Sequence, residues 1–389
     1  MPTHKEPFTF YTSYKDIPLN SWNAVIGNKQ LFLTIPYLKV IETKLATDVQ
    51  LIYMLGTLKN GTPILAGVFQ IATFTYKKGS QTNVLLKLFQ DCKNADDSVS
   101  MNGLVCGNIF ATGCYGFAHS DTIQFKGALE LMAAAAKRIR KNINYEDVYS
   151  IQLFKDFDSN LATQTASLYD FKYRGFQADV SMVLAMHPNW TSFSKYLESM
   201  KAKYRTKANS AFKKATEITF VSLSISEIET HLERLEELYT NVQKKSNYSY
   251  GKHYPRAFKA FKEELGDLFI CKGAFLNNQL IGFSTAFVNG TNLEASYVGL
   301  DYTYTSSHAL YERLLYGFVE DAIVLQSKTL HLGRTSELIK SALGAVPVPM
   351  TLFVKHRSKL KNVLLKPIIE SIAPTTYELR KPFKAAFYS

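Results

Sequence analysis

The second half of the chain has the clearest pattern of hydrophobic and polar positions. Two strand-like apolar runs, 269–276 and 279–288, are separated by Asn277-Asn278, a dipeptide typical of a two-residue hairpin turn. The segment 308–325 repeats apolar residues at helical spacing, which predicts a long helix capped by Ser306-Ser307. The predicted order is helices at 232–244 and 256–265, strands at 269–276, 279–288 and 293–301, a helix at 308–325, a strand at 329–332, a helix at 336–343 and a strand at 350–355.

The first half repeats this order more loosely. Its pattern predicts strands at 51–58, 64–73 and 101–111, a helix at 124–143, a strand at 148–154, a helix at 164–173 and a closing strand at 178–186. An extra stretch between Tyr76 and Ser98 is expected to be an insertion. We therefore predict a duplicated α/β unit; the alternative is two α/β domains that share only a generic order. The predicted domains are 1–186, degenerate or substrate-supporting, and 187–389, which carries a basic helix at 195–215 and a basic tail.

Length and composition agree with two folded domains. The chain has 389 residues, with 46% hydrophobic and 20% charged residues, a balance that excludes a disordered protein. The N-terminus has no signal-peptide pattern, and no apolar run reaches the roughly 18 residues needed to span a membrane. Four cysteines without zinc spacing make a disulfide scaffold or a metal site unexpected. The expected location is the cytoplasm, with peripheral contact at the inner membrane face left open.

The positive charge is concentrated in two segments. Residues 195–214 hold seven basic residues and one acidic residue, and residues 351–389 hold eight basic and two acidic, so each segment carries +6 of the net +12. Within 195–215, apolar residues recur at steps of three and four, which predicts a basic amphipathic helix. Such a helix is either a solvated face or a binding surface for phosphates, an acidic carrier protein, anionic lipid or tRNA. No DNA-recognition unit is visible.

The ordered elements of the second half resemble the GNAT acyltransferase superfamily. The opening Tyr196-Leu197-Glu198-Ser199-Met200-Lys201 is similar to that of Fem-like, double-GNAT proteins, and Gly282-Phe283, Tyr297-Val298-Gly299-Leu300-Asp301 and Leu332-Gly333-Arg334 follow in the order of that group's second domain. The resemblance covers 190–357 well and 50–186 more weakly. It implies an α/β fold with mixed sheets, in two tandem GNAT-like domains packed side by side.

One departure from the GNAT pattern concerns the acyl donor. GNAT enzymes carry a glycine-containing loop whose amides hold the coenzyme A pyrophosphate, whereas the stretch from Asp301 to His308 contains no glycine. Donor contacts are therefore assigned to Ser306, Ser307 and His308 at the start of the predicted helix. The expected donor is a thioester, as acyl-CoA or acyl carrier protein, with no permanently bound cofactor.

Three residues are candidates for catalysis. Asp301, at the end of its strand, could handle the amine or its proton; its structural alternative is to cap the following turn. Glu294 lies seven positions earlier, so the two carboxylates point to opposite faces of the strand unless a bulge intervenes, and one near Val298-Gly299 is plausible. Tyr311, in the first turn of the helix, is placed where GNAT enzymes often keep a tyrosine near the thiolate, or else it is a core tyrosine.

Five residues are candidates for substrate binding. Arg334 follows the strand 329–332, where a guanidinium could bind an anionic group in bidentate fashion; the alternative is an ion pair with Glu337 or Glu312. We also expect Arg334 and Asp301 to line one groove and to pair, because parallel strands end at the same edge. The remaining candidates are Lys340, Tyr204, Arg205 and Tyr297.

The predicted function is N-acyl transfer from the thioester to a primary amine, possibly that of a lipid-like molecule. The alternatives are a Fem-like transferase that uses aminoacyl-tRNA on a cell-wall precursor and a non-catalytic binding protein with the GNAT fold. The expected partners are a small or lipid-like amine, an acyl carrier protein and a membrane surface, with tRNA less favoured and DNA excluded.

Overall fold

The computed structural model describes residues 8–27, 30–45, 49–77, 98–141, 148–245, 254–370, 372 and 377–387. The chain divides into unit 1, Met1–Asp179 with Pro349–Thr375, and unit 2, Val180–Val348 with Thr376–Ser389. This division differs from the predicted boundary at 186/187 in two places. The strand that crosses the boundary belongs partly to each unit, and a late segment of the chain returns to unit 1.

The strands are numbered in chain order. They are β1 (Phe8–Tyr11), β2 (Val49–Thr57), β3 (Pro63–Lys77), β4 (Ser98–Cys106), β5 (Phe117–His119), β6 (Ile151–Asp158), β7 (Arg174–Ala185), β8 (Thr219–Ser222), β9 (Phe269–Leu276), β10 (Gln279–Asn289), β11 (Asn292–Leu300), β12 (Thr329–His331) and β13 (Val346–His356).

The helices are numbered in the same way. They are α1 (Leu19–Ile26), α2 (Ile35–Lys44), α3 (Phe125–Lys141), α4 (Ala162–Thr165), α5 (Phe193–Ser199), α6 (Ala202–Lys214), α7 (Ile225–Thr230), α8 (Leu232–Lys245), α9 (Phe258–Leu265), α10 (Thr303–Ser307), α11 (Leu310–Val324), α12 (Glu337–Ala342) and α13 (Lys359–Glu370).

The strands of the two units pair in the same order. In unit 1, β1, β2, β3 and β4 pair antiparallel in sequence, β4 pairs parallel with β6, and β6 pairs antiparallel with β13. In unit 2, β8, β9, β10 and β11 pair antiparallel, β11 pairs parallel with β12, and β12 pairs antiparallel with β7. A common order of this kind is what an internal duplication predicts.

The last strand in the pairing order of each unit comes from an unexpected part of the chain. The strand predicted at 178–186 was expected to close the first half, but residues Val183–Ala185 of β7 pair with β12 in unit 2. Conversely, the strand predicted at 350–355 pairs with β6 in unit 1. The two strands are thus exchanged relative to the predicted domains, which is why a single cut in the sequence does not separate the units.

Several predicted elements differ locally. The predicted helix 164–173 is a short α4 between two 3-10 segments, and the predicted strand 101–111 ends at Cys106, where Gly107 adopts a φ of 150°. Residues 78–97 of the expected insertion lie outside the described residues. The hairpin prediction is confirmed, since Asn277 and Asn278 both have positive φ between β9 and β10.

The predicted basic helix is two helices. Ser192 caps α5, and the chain then becomes extended at Met200, which pairs with Phe383 of the C-terminal segment. The apolar stripe of the sequence faces the core of unit 2: Met200, Ala208 and Ala211 are buried there. The lysines of α6 remain exposed, so the stripe is not available to an outside surface.

Candidate active site

Strands β11 and β12 separate part-way along unit 2. Their parallel pairing runs only from Asn292 opposite Thr329 to Glu294 opposite His331, where β12 ends. β11 continues to Leu300. The stretch beside the rest of β11, here called the gap, leaves part of a central strand without β12 as a neighbour.

A bulge in β11 lies beside the gap. Ser284 pairs with Val298 and Ala286 with Ala295, so Ser296 and Tyr297 together oppose Thr285. The Thr285 hydroxyl accepts from the Tyr297 N–H at 3.0 Å and contacts the Tyr297 carbonyl at 3.1 Å, which fixes the extra residue. The bulge was expected near Val298-Gly299 and lies slightly earlier.

The bulge changes which side chains share a face of the sheet. Because it adds one residue, Glu294 and Asp301 lie on the same face rather than on opposite ones. They still do not form a carboxylate pair, since seven residues of strand extend over about 20 Å. Each carboxylate therefore has its own surroundings.

Glu294 forms a polar chain with β12. Its Oε2 lies 3.4 Å from Nδ1 of His331, whose Nε2 lies 3.0 Å from the hydroxyl of Thr329, and that hydroxyl donates to Asn292 Oδ1 at 2.7 Å. The Glu294 side chain is 7% exposed and that of His331 is 24% exposed. The Thr329 hydroxyl thus contacts one ring nitrogen of His331, and Glu294 faces the other.

This arrangement is suited to handling a proton of a bound group. The nearly buried carboxylate orients the ring of His331, and an imidazolium formed there would be stabilised by a charge-assisted hydrogen bond. Glu294 and His331 together therefore have the chemistry of a general base.

Backbone amides also face the gap. Asp301 N–H donates to the Ile281 carbonyl on β10 at 2.8 Å. Alternate residues of an antiparallel strand direct their N–H groups to opposite sides, so the N–H groups of Val298 and Leu300 point toward the gap. Amides fixed in this way can stabilise negative charge that develops on a carbonyl oxygen.

Asp301 is held by other partners than the one predicted. Arg234 of α8 donates to its Oδ2 at 2.8 Å, and the Thr303 N–H and hydroxyl donate to its Oδ1 at 3.1 and 2.6 Å. Burial opposes ionisation, but the hydrogen bonds from Thr303 and Arg234 outweigh it and lower the pKa of Asp301. Asp301 pairs with Arg234 and not with Arg334, and it caps the turn into α10.

Tyr311 lies against the loop that follows β12. Burial raises its pKa, and a hydrogen bond to Ser336 in that loop opposes the rise. From α12, the buried Lys340 ammonium donates to the Arg334 carbonyl of the same loop at 2.6 Å. Tyr311, Arg334 and Lys340 are therefore brought together on the β12 side of unit 2, and Lys340 supports the loop backbone.

The predicted cap of the long helix is wrong. Ser306 and Ser307 lie in α10, and α11 begins at Leu310 after Ala309, which is in the left-handed conformation and makes no side-chain cap. The Ser307 hydroxyl contacts Nδ1 of His308 at 2.8 Å, and Nε2 of His308 lies 3.8 Å from Glu217. The start of α11 thus has no side-chain cap from its N-cap residue.

The remaining substrate candidates are dispersed. Tyr297 packs between Tyr239 and Tyr254 at ring distances of 5.4 and 4.2 Å, and burial raises its pKa. Tyr204 packs against the core of unit 2, and Arg205 contacts the Met200 carbonyl at 3.5 Å. Neither α6 residue has a contact that links it to Glu294.

The corresponding position in unit 1 is filled by its own side chains. Beyond the parallel pairing of β4 and β6, the Lys155 ammonium donates to the carbonyls of Asn108 and Ala111 at 2.9 and 2.8 Å and pairs with Asp156. Burial raises the pKa of the nearby Cys114 to about 12, as it does that of Cys271 in unit 2. Neither thiol is suited to act as a nucleophile.

The sequence did not reveal His331, Thr285 or Arg234. The register of two parallel strands places His331 beside Glu294, and a histidine inside the predicted strand 329–332 was the available signal. Thr285 and Arg234 gave no signal, because their partners depend on the bulge and on helix packing.

The fold is similar to that of several solved structures. FemX covers 89% of this chain and 96% of its own, with 11% identity and a TM-score of 0.52. A tandem GNAT protein from the clavulanic acid biosynthesis pathway covers 90% and 99%, with 10% identity and a TM-score of 0.50. The C-terminal domain of a protein named as a lysylphosphatidylglycerol synthetase from Agrobacterium fabrum covers 91% and 96%, with 9% identity and a TM-score of 0.50.

These similarities confirm the predicted fold class: the chain has the fold of tandem GNAT proteins. At such low identity they show the fold and not the activity. No family model and no curated protein sequence matches the chain.

Proposed function

We propose that unit 2 transfers an acyl group from a thioester to a primary amine at the gap between β11 and β12. The amine nitrogen forms a bond to the acyl carbon, the carbon–sulfur bond breaks, and the amine loses one proton while the thiolate gains one. The products are an amide and a free thiol. The GNAT fold supports acyl transfer as the class of reaction. The thioester donor and the amine acceptor are part of our proposal.

The observation that carries the proposal is the pair of Glu294 and His331 beside the gap. An ammonium group must lose a proton before it can attack a carbonyl, and a second proton leaves as the amide forms. His331 is the more exposed member and receives the proton, while Glu294 orients the ring and stabilises the resulting imidazolium. The pair therefore removes the proton that the amine must lose.

The other groups have supporting roles in this proposal. The N–H groups of Val298 and Leu300 stabilise the oxygen of the tetrahedral intermediate. Tyr311 keeps its proton, since burial raises its pKa, and can give it to the leaving thiolate. The uncapped start of α11 would hold phosphates of acyl-CoA or of a carrier-protein arm. No bound cofactor is needed.

A second candidate is transfer from aminoacyl-tRNA, which has an ester in place of the thioester. It is favoured by contacts, within unit 2, between the first basic segment and the end of the second, residues 376–389. The Lys201 N–H donates to the Pro382 carbonyl at 2.8 Å, the Lys201 ammonium to the Lys381 carbonyl at 3.1 Å, and the Lys384 N–H to the Ser199 carbonyl at 2.9 Å. The exposed lysines of α6 thus adjoin the basic tail and form one surface suited to phosphates.

The test is acyl transfer by the purified protein. Acyl-CoA thioesters of different lengths, acyl carrier protein and aminoacyl-tRNA are supplied with an amine panel that includes lipid-like amines, and thiol or tRNA release is measured. Glu294→Gln keeps a hydrogen-bonding group beside His331 but removes the negative charge that stabilises the imidazolium, so kcat is expected to fall about 10²–10⁴-fold. Glu229→Gln, in an exposed ion pair with Lys259, is the control and is expected to keep full activity.

The outcomes separate the alternatives. Turnover only with aminoacyl-tRNA, lost at higher salt, would replace the thioester donor by tRNA. Full activity of a correctly folded Glu294→Gln protein would refute the role of the pair. No turnover with any donor, together with retention of one of them, would leave a binding protein with the GNAT fold.

A further inference from the structure

Helix α13 of unit 1 has apolar residues on two opposite sides. On the inner side Leu365 and Ile369 are buried, and Asn362 accepts from the His356 N–H at 2.8 Å. On the outer side Leu360, Val363 and Leu364 are 72%, 66% and 51% exposed. At about 100° per residue these three lie within an arc of roughly 100°, on the side of the helix opposite Asn362 and Leu365. We call them the outer stripe.

Basic residues border the outer stripe on both sides. Lys359 and Lys366 lie along one border and Lys361 along the other, by the same helical geometry. From Lys355 to Lys366 the chain has five basic residues and no acidic one. An apolar stripe with lysine on both borders is the pattern of a helix that lies in an anionic membrane surface.

The neighbouring elements add positive charge. Burial lowers the pKa of Lys355 at the end of β13, and Arg140 and Lys137 of α3 lower it further. Burial also lowers the pKa of His356, with contributions from Lys361, Arg357 and Arg140. Cations from α3, β13 and α13 are thus close enough to repel one another, and a dense anionic surface would relieve this repulsion.

We propose that α13 is a membrane contact that places its outer stripe in the interface of an anionic lipid bilayer. A second copy of the chain fits this surface poorly, because a two-fold contact would bring the same lysines together. The basic helix predicted from the sequence fits poorly as well, because its stripe is buried in unit 2. Among the described residues no helix is long and apolar enough to cross a membrane, so a contact of this kind lies at the surface. Membrane binding by α13 does not depend on acyl transfer by unit 2.

The test is binding of the full chain to vesicles. Vesicles of phosphatidylcholine alone are compared with vesicles that also contain phosphatidylglycerol, by co-sedimentation at low and high salt. We expect binding only to the anionic vesicles, weakened by salt. Leu360→Ser/Val363→Ser/Leu364→Ser is expected to lower the partition coefficient at least about tenfold, and Lys359→Gln/Lys366→Gln about tenfold or more.

A matched control exists for each change. Val324→Ser removes another exposed apolar side chain, at 80% exposure, and Lys203→Gln/Lys207→Gln removes two exposed lysines of α6. Both controls are expected to bind vesicles like the original protein. Thermal melting verifies that every variant is folded, as expected for exposed positions.

A fluorescence measurement tests insertion directly. The two native tryptophans, Trp22 and Trp190, are buried, so the emission of a Leu360→Trp variant reports mainly on α13. A blue shift with anionic vesicles and none with phosphatidylcholine is the expected result. Three results would overturn the proposal: no vesicle binding, binding lost in the α6 variant but kept in the stripe variant, or a dimer that dissociates when the stripe is changed.

Discussion

The ion pair between Arg234 and Asp301 is expected to stabilise unit 2 measurably. Arg234 makes three bonds: to Asp301 at 2.8 Å, to Glu237 at 2.7 Å and from its Nε to the Leu280 carbonyl at 2.9 Å. The side chains of Arg234 and Asp301 are both 22% exposed, so the pair is better shielded than a surface ion pair. Exposed pairs contribute about 0.2–1 kcal/mol and hydrogen bonds to charged groups about 1.5–3 kcal/mol. We expect a coupling free energy of about 1–2 kcal/mol.

A double-mutant cycle measures this coupling. Asp301→Asn keeps the oxygen that accepts from Thr303 and removes the charge, and Arg234→Gln removes the guanidinium. Thermal unfolding of the original protein, the two single variants and the double variant gives the coupling free energy. For a unit of this size, 1 kcal/mol corresponds to a shift in Tm of about 2–4 °C. The matched cycle combines Asp301→Asn with Arg334→Gln, and there we expect additivity within about 0.5 kcal/mol. A larger coupling to Arg334 than to Arg234 would refute the structural role of Asp301.

The same pair predicts a pH dependence. The pKa of Asp301 is lower in the folded chain than in the unfolded chain, so its contribution to stability is fully present above the unfolded pKa of about 3.9. The contribution is lost as the pH falls through the folded pKa. The difference in Tm between the original protein and Asp301→Asn should therefore shrink on acidification below about pH 4; a difference that stays constant down to the lowest pH at which the chain folds would contradict this linkage.

Two further changes test the packing of each unit. Gly344→Ala would place a Cβ 2.1 Å from the Phe383 ring, and Gly344 has a φ of 100°. We therefore expect the free energy of unfolding to fall by about 2–3 kcal/mol and the C-terminal segment to be cleaved faster by protease. In the same melting assay, Gly317→Ala inside α11 should be neutral or stabilising. In unit 1, Lys155→Met removes the ammonium that pairs with the buried Asp156. Thermal melting should show that the free energy of unfolding falls by about 3–5 kcal/mol. An unchanged Tm would mean that the ion pair does not stabilise the fold.

Local signals in the sequence predicted most of the elements of unit 2. Asn277-Asn278 fixed a hairpin because both positions must adopt positive φ, a property of the residues themselves. The spacing of apolar residues located α8 and α11 to within two residues at each end. The cap of α11 was misplaced, because Ser306 and Ser307 suit a cap by composition while the backbone forms a separate α10 first.

The sequence did not predict which strands pair across long distances along the chain. The pattern of β7 and β13 identified them as strands but carried no information about which sheet edge each would join. The amphipathic pattern of 195–215 was correct, yet it could not say whether the stripe would face a core or a membrane. The sequence predicted Glu294 as a candidate but not its neighbour His331, because His331 lies 37 positions away in the sequence.

The exchange of β7 and β13 also affects the order in which the chain can fold during synthesis. Strand β6 ends at Asp158, but the strand that pairs with its free edge is complete only at His356. At about 5–20 residues per second, a ribosome needs roughly 10–40 s to make the intervening stretch. During that time the edge of β6 has no partner from β13 and could join another chain. Nascent copies on one messenger would be the nearest source of such a chain, and a chaperone that holds the first 180 residues would prevent the encounter.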